Sequence, residues 1–143
     1  MSGTRADRAP AQAPAGFRYQ ADLLEPGEEK ALLERIPGLA FKEFNFQGYL
    51  ARRRVVSYGW HYSYEDRTLQ RAEPIPDFLH STRERAAALA GLAAEQLAHA
   101  LITEYSPGTP IGWHRDKKVF GDVVGISLLS ACTLRLRRRT GST

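Results

Sequence analysis

The chain has 143 residues, of which 43% are hydrophobic and 25% are charged, and its formal net charge is +4. These proportions are ordinary for one globular domain with a real core, and they exclude a chain that is disordered throughout. The single cysteine, Cys132, excludes an internal disulfide and fits a reducing compartment. No apolar run approaches the roughly 20 residues that cross a bilayer, and no secretory signal precedes Phe17, so we predict a cytoplasmic protein without a membrane segment.

The positive charge is concentrated near the C-terminal end of the chain. Four arginines there account for the whole net charge of +4: Arg135, Arg137, Arg138 and Arg139. Such a cluster can contact phosphate, but a solvated strand face explains it equally well. Charge alone therefore does not identify a nucleic-acid-binding protein.

The first part of the chain predicts a leader followed by a helix. Residues 1–16 are rich in alanine and proline and lack an apolar period, so we expect a flexible leader ahead of one domain over residues 17–143. Pro26 suits the first turn of a helix, and Glu28 lies near its positive end. Gly38 and the proline before it end this helix.

The next region predicts a hairpin and then an aromatic-rich loop. Residues 39–58 alternate apolar and polar side chains around a break at Gly48, which favours a β-hairpin. Residues 58–71 are polar and rich in aromatic side chains. We predict a loop there that either carries function or covers the core.

The second half predicts one more helix and several short strands. Two prolines, Pro74 and Pro76, introduce a helix that closes near Gly91, and a strand follows at about residues 100–105. The sequence Ser106-Pro107-Gly108 predicts a turn. Further strands are expected at residues 111–116, 123–129 and 133–138, with Cys132 as a small buried residue on the apolar face of the last one. Helices that precede short strands indicate an α+β layout on an antiparallel sheet.

The best chemical signal is His114-Arg115-Asp116 on one of these strands. Positions i and i+2 of a strand point to the same face, so His114 and Asp116 would converge on one point, as two metal ligands must. A histidine and a carboxylate are two of the three ligands in the facial triad that binds iron(II). A surface histidine beside a surface aspartate is the alternative, because His-x-Asp is common by chance.

The surrounding sequence resembles the core signature of AlkB-like dioxygenases. Residues 101–118 contain, in the family's order, a strand ending in tyrosine, a glycine turn, an apolar residue and His-x-Asp. Residues 125–128 are similar to the Ser-Leu strand that follows in the family. Upstream, residues 53–64 resemble its arginine and aromatic segment, and residues 74–79 its proline-led helix. The agreement in order covers roughly residues 50–138.

The resemblance implies an α+β protein with an incomplete double-stranded β-helix (jelly-roll) core and flanking N-terminal helices. Its cofactors would be Fe(II), held by His114 and Asp116 with a second histidine from a later strand, and 2-oxoglutarate. The 2-oxoglutarate would accept a hydrogen bond from Tyr105, while Thr103 stands where the family has asparagine and lacks the reach of the amide. Family members oxidise N-methyl groups of alkylated DNA or RNA bases, as in DNA repair, and some act on proteins.

The aromatic segment supplies the predicted substrate-binding residues, which are Trp60, His61, Tyr62 and Tyr64. Aromatic faces stack on a flipped base, which favours an alkylated nucleic acid as substrate. Half-buried packing of the same side chains is the alternative. The oligomeric state is not predicted by any pattern.

The C-terminal end lacks part of the family's site. No histidine follows His114, so the resemblance predicts a chain truncated at its C-terminus. Of the remaining histidines, His80 and His99 are expected to face solvent from helices, and His61 to contact substrate. Two alternatives therefore stay open: a non-catalytic remnant that binds nucleic acid or a protein partner, and an oxygenase of the same fold that acts on a protein side chain.

Overall fold

A computed structural model of the chain describes residues 15–46, 49–63, 66–109, 116, 120–130, 132 and 134–136. Within them the elements are helix α1 (Pro26–Arg35), strands β1 (Lys42–Phe46), β2 (Tyr49–Tyr58), β3 (Trp60–Ser63) and β4 (Thr68–Arg71), helix α2 (His80–Ala90) and strand β5 (Ala100–Tyr105). Short 3-10 turns lie at Ile36–Gly38, Asp77–Leu79 and Ala94–Gln96. Residues 1–14 of the predicted leader lie outside the described residues.

Both predicted helices are confirmed, and local signals explain where they begin and end. In α1, the Glu28 carboxylate accepts a hydrogen bond from the backbone N–H of Glu25 at 2.9 Å, which satisfies a donor that every helix start leaves unpaired. The 3-10 turn that ends at Gly38 terminates this helix. At the end of α2, Gly91 adopts φ of 73°, the left-handed conformation that commonly follows a helix.

The central sheet has three antiparallel strands in the order β1-β2-β5. Strands β1 and β2 form the predicted hairpin, and the predicted strand at residues 100–105 is confirmed as β5. The register between β2 and β5 runs from Arg53 opposite Tyr105 to Tyr58 opposite Ala100. Because successive side chains point to opposite faces, this register decides which residues of the two strands share a surface.

The helices cover one face of this sheet. Leu24, Leu32 of α1 and Leu79 are buried and form the core cluster, and Ala100 and Ile102 of β5 pack against it. Burial of each leucine contributes about 1.5–3 kcal/mol relative to exposure, so these contacts hold the helical layer on the sheet.

A polar network joins the two helices at the edge of this layer. The Glu28 carboxylate of α1 accepts hydrogen bonds from Arg85 Nε at 2.9 Å and from Ser81 Oγ at 3.0 Å, both in α2. The bonds satisfy the carboxylate from several sides, so its position fixes the helices relative to one another.

The predicted loop at residues 58–71 is wrong, because this segment folds as a second hairpin. Strands β3 and β4 pair in an antiparallel register from Trp60 opposite Arg71 to Ser63 opposite Thr68. The Arg71 guanidinium lies 4.8 Å from the Trp60 ring centroid, a cross-strand cation–π contact. Pairing between side chains across the strands therefore outweighs the polar composition on which the loop prediction rested.

The predicted strand at residues 123–129 is also wrong. The segment has no regular secondary structure, although Ile126 and Leu128 pack against the core cluster. The backbone N–H of Leu129 donates to the Glu29 carboxylate of α1 at 3.0 Å. The Glu29 side chain therefore accepts the hydrogen bond that a strand would donate to a neighbouring strand.

The apolar face predicted around Cys132 is not buried. Cys132 is exposed, and Leu134 and Leu136 are 73% and 51% exposed. Residues 134–136 are not in a strand, and without a paired neighbour their alternation has no sheet surface to pack on. Of the predicted strand at residues 111–116, the part before Asp116 lies outside the described residues.

The part of the chain that the structure describes combines small antiparallel sheets with two helices, an α+β arrangement. Neither helix is long and apolar enough to cross a bilayer.

Candidate functional site

The predicted cosubstrate residues lie on the sheet face turned away from the helices. Thr103 and Tyr105 alternate with Ile102, which packs on the helix-covered side, so their side chains leave β5 on the opposite, open face. Val55 and Arg53 of β2 lie directly across from them. The register therefore places the two predicted residues together, beside an arginine, on one surface.

Part of this open face is accessible to solvent. Tyr105 is 47% exposed, and Leu101, on the same face, is 52% exposed. The Arg53 guanidinium carbon lies 5.9 Å from the Tyr105 ring centroid, within cation–π range. A phenol hydroxyl beside a guanidinium offers hydrogen-bond donors and positive charge, which is the chemistry that recognises a carboxylate.

An ion pair lies on the other face of the sheet at the same end. Arg54 Nε donates to Glu104 Oε1 at 2.7 Å, and the Arg54 guanidinium lies 5.0 Å from the Phe41 ring centroid. The hydrogen bond from Arg54 lowers the pKa of Glu104, and the same bond raises the pKa of Arg54. Both side chains are about half exposed, so the pair reinforces the strand register more than it adds stability.

The predicted metal ligands follow β5 in the chain. The predicted turn is confirmed by a hydrogen bond from Thr109 N–H to the Ser106 carbonyl at 3.0 Å, and it leads away from the strand end that carries Tyr105. Asp116 is exposed, and His114 lies outside the described residues, so their convergence stays a prediction. Where the structure describes the chain, no group of three histidine, cysteine or acidic side chains is arranged to hold a metal.

The donors in the described residues nevertheless fit the predicted cofactors. Asp116 offers an exposed carboxylate, a ligand that suits iron(II) in a facial triad. Tyr105 offers an accessible hydroxyl donor to a dicarboxylate. The described groups that suit the predicted cofactors are therefore the Asp116 carboxylate and the Tyr105 hydroxyl, together with the sheet face that carries Thr103.

The three predicted substrate residues that the structure describes lie on both faces of one strand. Trp60, His61 and Tyr62 lie on β3, whereas Tyr64 lies outside the described residues. Because side chains alternate along a strand, half-buried Trp60 and Tyr62 share one face and exposed His61 lies on the other. A stacked base would therefore contact the tryptophan side of the hairpin, not the histidine side.

Gly59 sets the point where this hairpin leaves the central sheet. Its φ is +82°, and a Cβ at this position would clash with the carbonyl oxygen of Ala98. The N–H of Gly59 donates to the Glu73 carbonyl, and the Ala72 N–H donates to the Gly59 carbonyl at 3.2 Å. Only glycine combines this conformation with so close an approach of another backbone.

His99 is not the solvent-facing helix residue that we predicted. It lies in the loop before β5, is half-buried, and stacks on Phe120 with ring centroids 4.6 Å apart and an interplanar angle of 16°. Burial, and to a lesser degree the nearby His61, lowers the pKa of His99. No local pattern signals this contact, because Phe120 is distant from His99 in the sequence and follows the His114-Arg115-Asp116 motif.

The prediction for His80 is confirmed, since it is exposed on α2.

The chain belongs to the 2OG-Fe(II) oxygenase superfamily, whose family model matches residues 39–143. It is similar to two AlkB homologues, which confirms the AlkB-like resemblance at low identity. It is 29% identical over 136 residues, covering 91% of this chain and 20% of the relative, to the tRNA (carboxymethyluridine(34)-5-O)-methyltransferase ALKBH8 of Mus musculus. It is 27% identical over 123 residues, covering 86% of this chain and 50% of the relative, to the Probable RNA/DNA demethylase ALKBH6 of Danio rerio.

The chain thus spans half or less of the length of these curated relatives. No solved structure matches it significantly.

Proposed function

We propose that this chain is part of an AlkB-type Fe(II)- and 2-oxoglutarate-dependent dioxygenase that oxidatively demethylates alkylated bases in DNA or RNA. The observation that carries this proposal is the open sheet face with Thr103 and Tyr105, which the chain leaves through a turn toward the His114-Arg115-Asp116 motif. The whole arrangement lies inside the segment matched by the family. In this proposal the open face is one wall of a double-stranded β-helix, the fold that the family implies.

The proposed roles follow from the donors on and beside this face. His114 and Asp116 would hold iron(II), and Tyr105 would donate a hydrogen bond to 2-oxoglutarate, with Thr103 as a neighbouring donor. When bound, the iron and 2-oxoglutarate supply the oxidation of a C–H bond by oxygen. Arg53, across from Tyr105, adds positive charge where the dicarboxylate is expected.

A facial triad needs a third ligand, and two of the remaining histidines are poor candidates. His80 Nε2 lies 3.7 Å from Asp77 on the helical layer, away from the open face. His99 is stacked on Phe120 and half-buried. The identity of the third ligand is therefore left open in this proposal.

The hairpin of β3 and β4 supports a base as the substrate. Trp60 and Tyr62 share one face of β3, and the Arg71 guanidinium already lies over the Trp60 ring. Each stacked base is worth about 1–3 kcal/mol on an aromatic platform of this kind. The similarity to ALKBH6, named as a Probable RNA/DNA demethylase, and to ALKBH8, named as a tRNA methyltransferase, supports a nucleic acid over a protein side chain.

The first test is anaerobic iron(II) binding by the purified chain, with and without 2-oxoglutarate. We expect 2-oxoglutarate to strengthen binding and His114→Ala to abolish it, while His80→Ala, a matched exposed histidine, binds as wild type. Formaldehyde release from methylated oligonucleotides and from a methylated peptide then separates the two substrate classes. Iron binding that is indifferent to His114→Ala would contradict the proposal.

A second candidate function, a non-catalytic binding module, is favoured by one observation. Arg135 is exposed between the exposed Leu134 and Leu136, and this mixed surface suits a phosphate backbone or a protein partner. Oligonucleotide binding that persists in His114→Ala and is lost when Arg135 is replaced by alanine would support this function over catalysis.

A further inference from the structure

A contact outside the proposed chemistry links two parts of the candidate site. His99 immediately precedes β5, the strand that ends in Tyr105. Phe120 follows Asp116 in the chain, and its ring lies on the His99 ring with a centroid distance of 4.6 Å. The contact therefore joins the two ends of the segment that carries the predicted cosubstrate and metal residues.

The geometry is that of a true aromatic pair. A centroid distance of 4.6 Å and an interplanar angle of 16° place the rings in parallel contact, at the close end of the range for stacked pairs. Both side chains are half-buried, and neither belongs to the core cluster of Leu24, Leu32 and Leu79. The stack is thus a separate point of attachment between the later segment and the sheet.

The first residue of the pair immediately precedes a strand that is held in the sheet. Strand β5 is paired with β2 along its whole length, from Ala100 to Tyr105. Beyond it, the turn bond between Thr109 and Ser106 fixes the start of the following segment. Without the stack, the far end of that segment would lose an attachment to the strand.

We propose that the His99–Phe120 stack is a positioning contact for the candidate site, holding the chain just beyond Asp116 against the base of the strand that carries Tyr105. The inference rests on the proposed function, since it assigns a purpose to this contact only if Asp116 binds metal. His99 and Phe120 act through Asp116 and do not themselves touch cofactor or substrate.

Hydrogen exchange and metal binding test this role together. Exchange is measured on metal-free protein in peptides that span residues 116–130, and iron(II) affinity is measured anaerobically with 2-oxoglutarate. The variants are His99→Ala, Phe120→Ala, their combination and Phe120→Leu, which keeps apolar volume without a ring. His99→Phe keeps the stack and serves as the rescue, and His80→Ala is the matched control.

We expect faster exchange in residues 116–130 of the alanine variants and of Phe120→Leu, with no change in peptides from α1. Iron(II) affinity should fall by about 2- to 12-fold, the range that loss of one aromatic pair gives. The double variant should be no weaker than the worse single variant, because both remove the same contact. His99→Phe keeps an aromatic ring at this position and should therefore retain wild-type affinity.

The possible failures are distinct. Wild-type iron affinity in Phe120→Leu and in the folded alanine variants overturns the positioning role and leaves the proposed function intact. Unchanged exchange in these variants overturns it as well. Absence of iron binding in the wild type overturns both the metal assignment and the positioning role of the stack. This holds even if hydrogen exchange shows that the stack protects residues 116–130.

Discussion

Arg53 of β2 lies directly across the sheet from Tyr105 of β5, and its guanidinium carbon is 5.9 Å from the tyrosine ring centroid. The next pair in the register, Arg54 and Glu104, points to the opposite face and forms an ion pair at 2.7 Å. Two neighbouring arginines thus serve different surfaces. Arg54 supports the strand register through its ion pair, and Arg53 adds positive charge to the open face where we place the cosubstrate.

Replacement of Tyr105 by phenylalanine tests the open face directly. The change removes only the hydroxyl, and a hydrogen bond to a charged group contributes about 1.5–3 kcal/mol. We expect 2-oxoglutarate to bind roughly 10-fold or more weakly, since about 1.4 kcal/mol corresponds to a factor of ten. Titration of 2-oxoglutarate into the iron-loaded chain measures this effect. Tyr19→Phe, another exposed tyrosine, is the control, and equal affinity in both variants would remove Tyr105 from the site.

Gly59→Ala should destabilise the fold. The left-handed conformation alone costs a non-glycine residue about 1–2 kcal/mol, and the clash with the Ala98 carbonyl adds to this cost. The free energy of unfolding in urea measures the loss. Gly27→Ala is the matched control, because its Cβ would meet no atom within 4 Å and alanine favours the helix. Equal stability of the two variants would show that the hairpin junction tolerates a side chain.

The Glu28 network predicts a pH dependence in the acidic range. The backbone hydrogen bond from Glu25 and then the hydrogen bond from Arg85 lower the pKa of Glu28. A carboxylate with a lowered pKa adds stability above its ordinary pKa of 4.5, and this stability is lost as the pH falls through the folded-state value. The thermal midpoint of wild type should therefore exceed that of Glu28→Gln at pH 7, and the two should converge in acid. Glu34→Gln, on the same helix, is the control for removal of a carboxylate, and a difference between wild type and Glu28→Gln that persists in acid would contradict this role of Glu28.

The histidine beside β5 predicts a dependence of the same sign in a higher pH range. Burial and the nearby His61 lower the pKa of His99, so the folded state resists its protonation. Stability contributed by neutral His99 is present above its ordinary pKa of about 6.5 and declines as the pH falls below it. NMR titration of the ring should give a pKa below the ordinary histidine value of 6.5. In His61→Ala the pKa of His99 should rise, and an unchanged value would exclude the charge of His61 as a cause.

Much of the local structure followed from the sequence. Pro26 and Gly91 mark helix boundaries through backbone geometry, and the alternation in residues 100–105 identifies a strand, because these signals act between near neighbours. The resemblance around His114 and Asp116 likewise indicated the family, since the order of residues in a motif survives when overall identity is low.

Tertiary structure decided what no local signal encodes. Residues 123–129 alternate like a strand but bind a helix carboxylate through Leu129, because pairing depends on which neighbour supplies the hydrogen bonds. A strand register alone does not determine which face of the sheet the helices cover. The packing of Ile102 against the core cluster decides this, and it therefore places Tyr105 on the open face. The contact of His99 with Phe120 likewise joins residues that only the folded chain brings together, since its energy comes from their meeting and not from either local sequence.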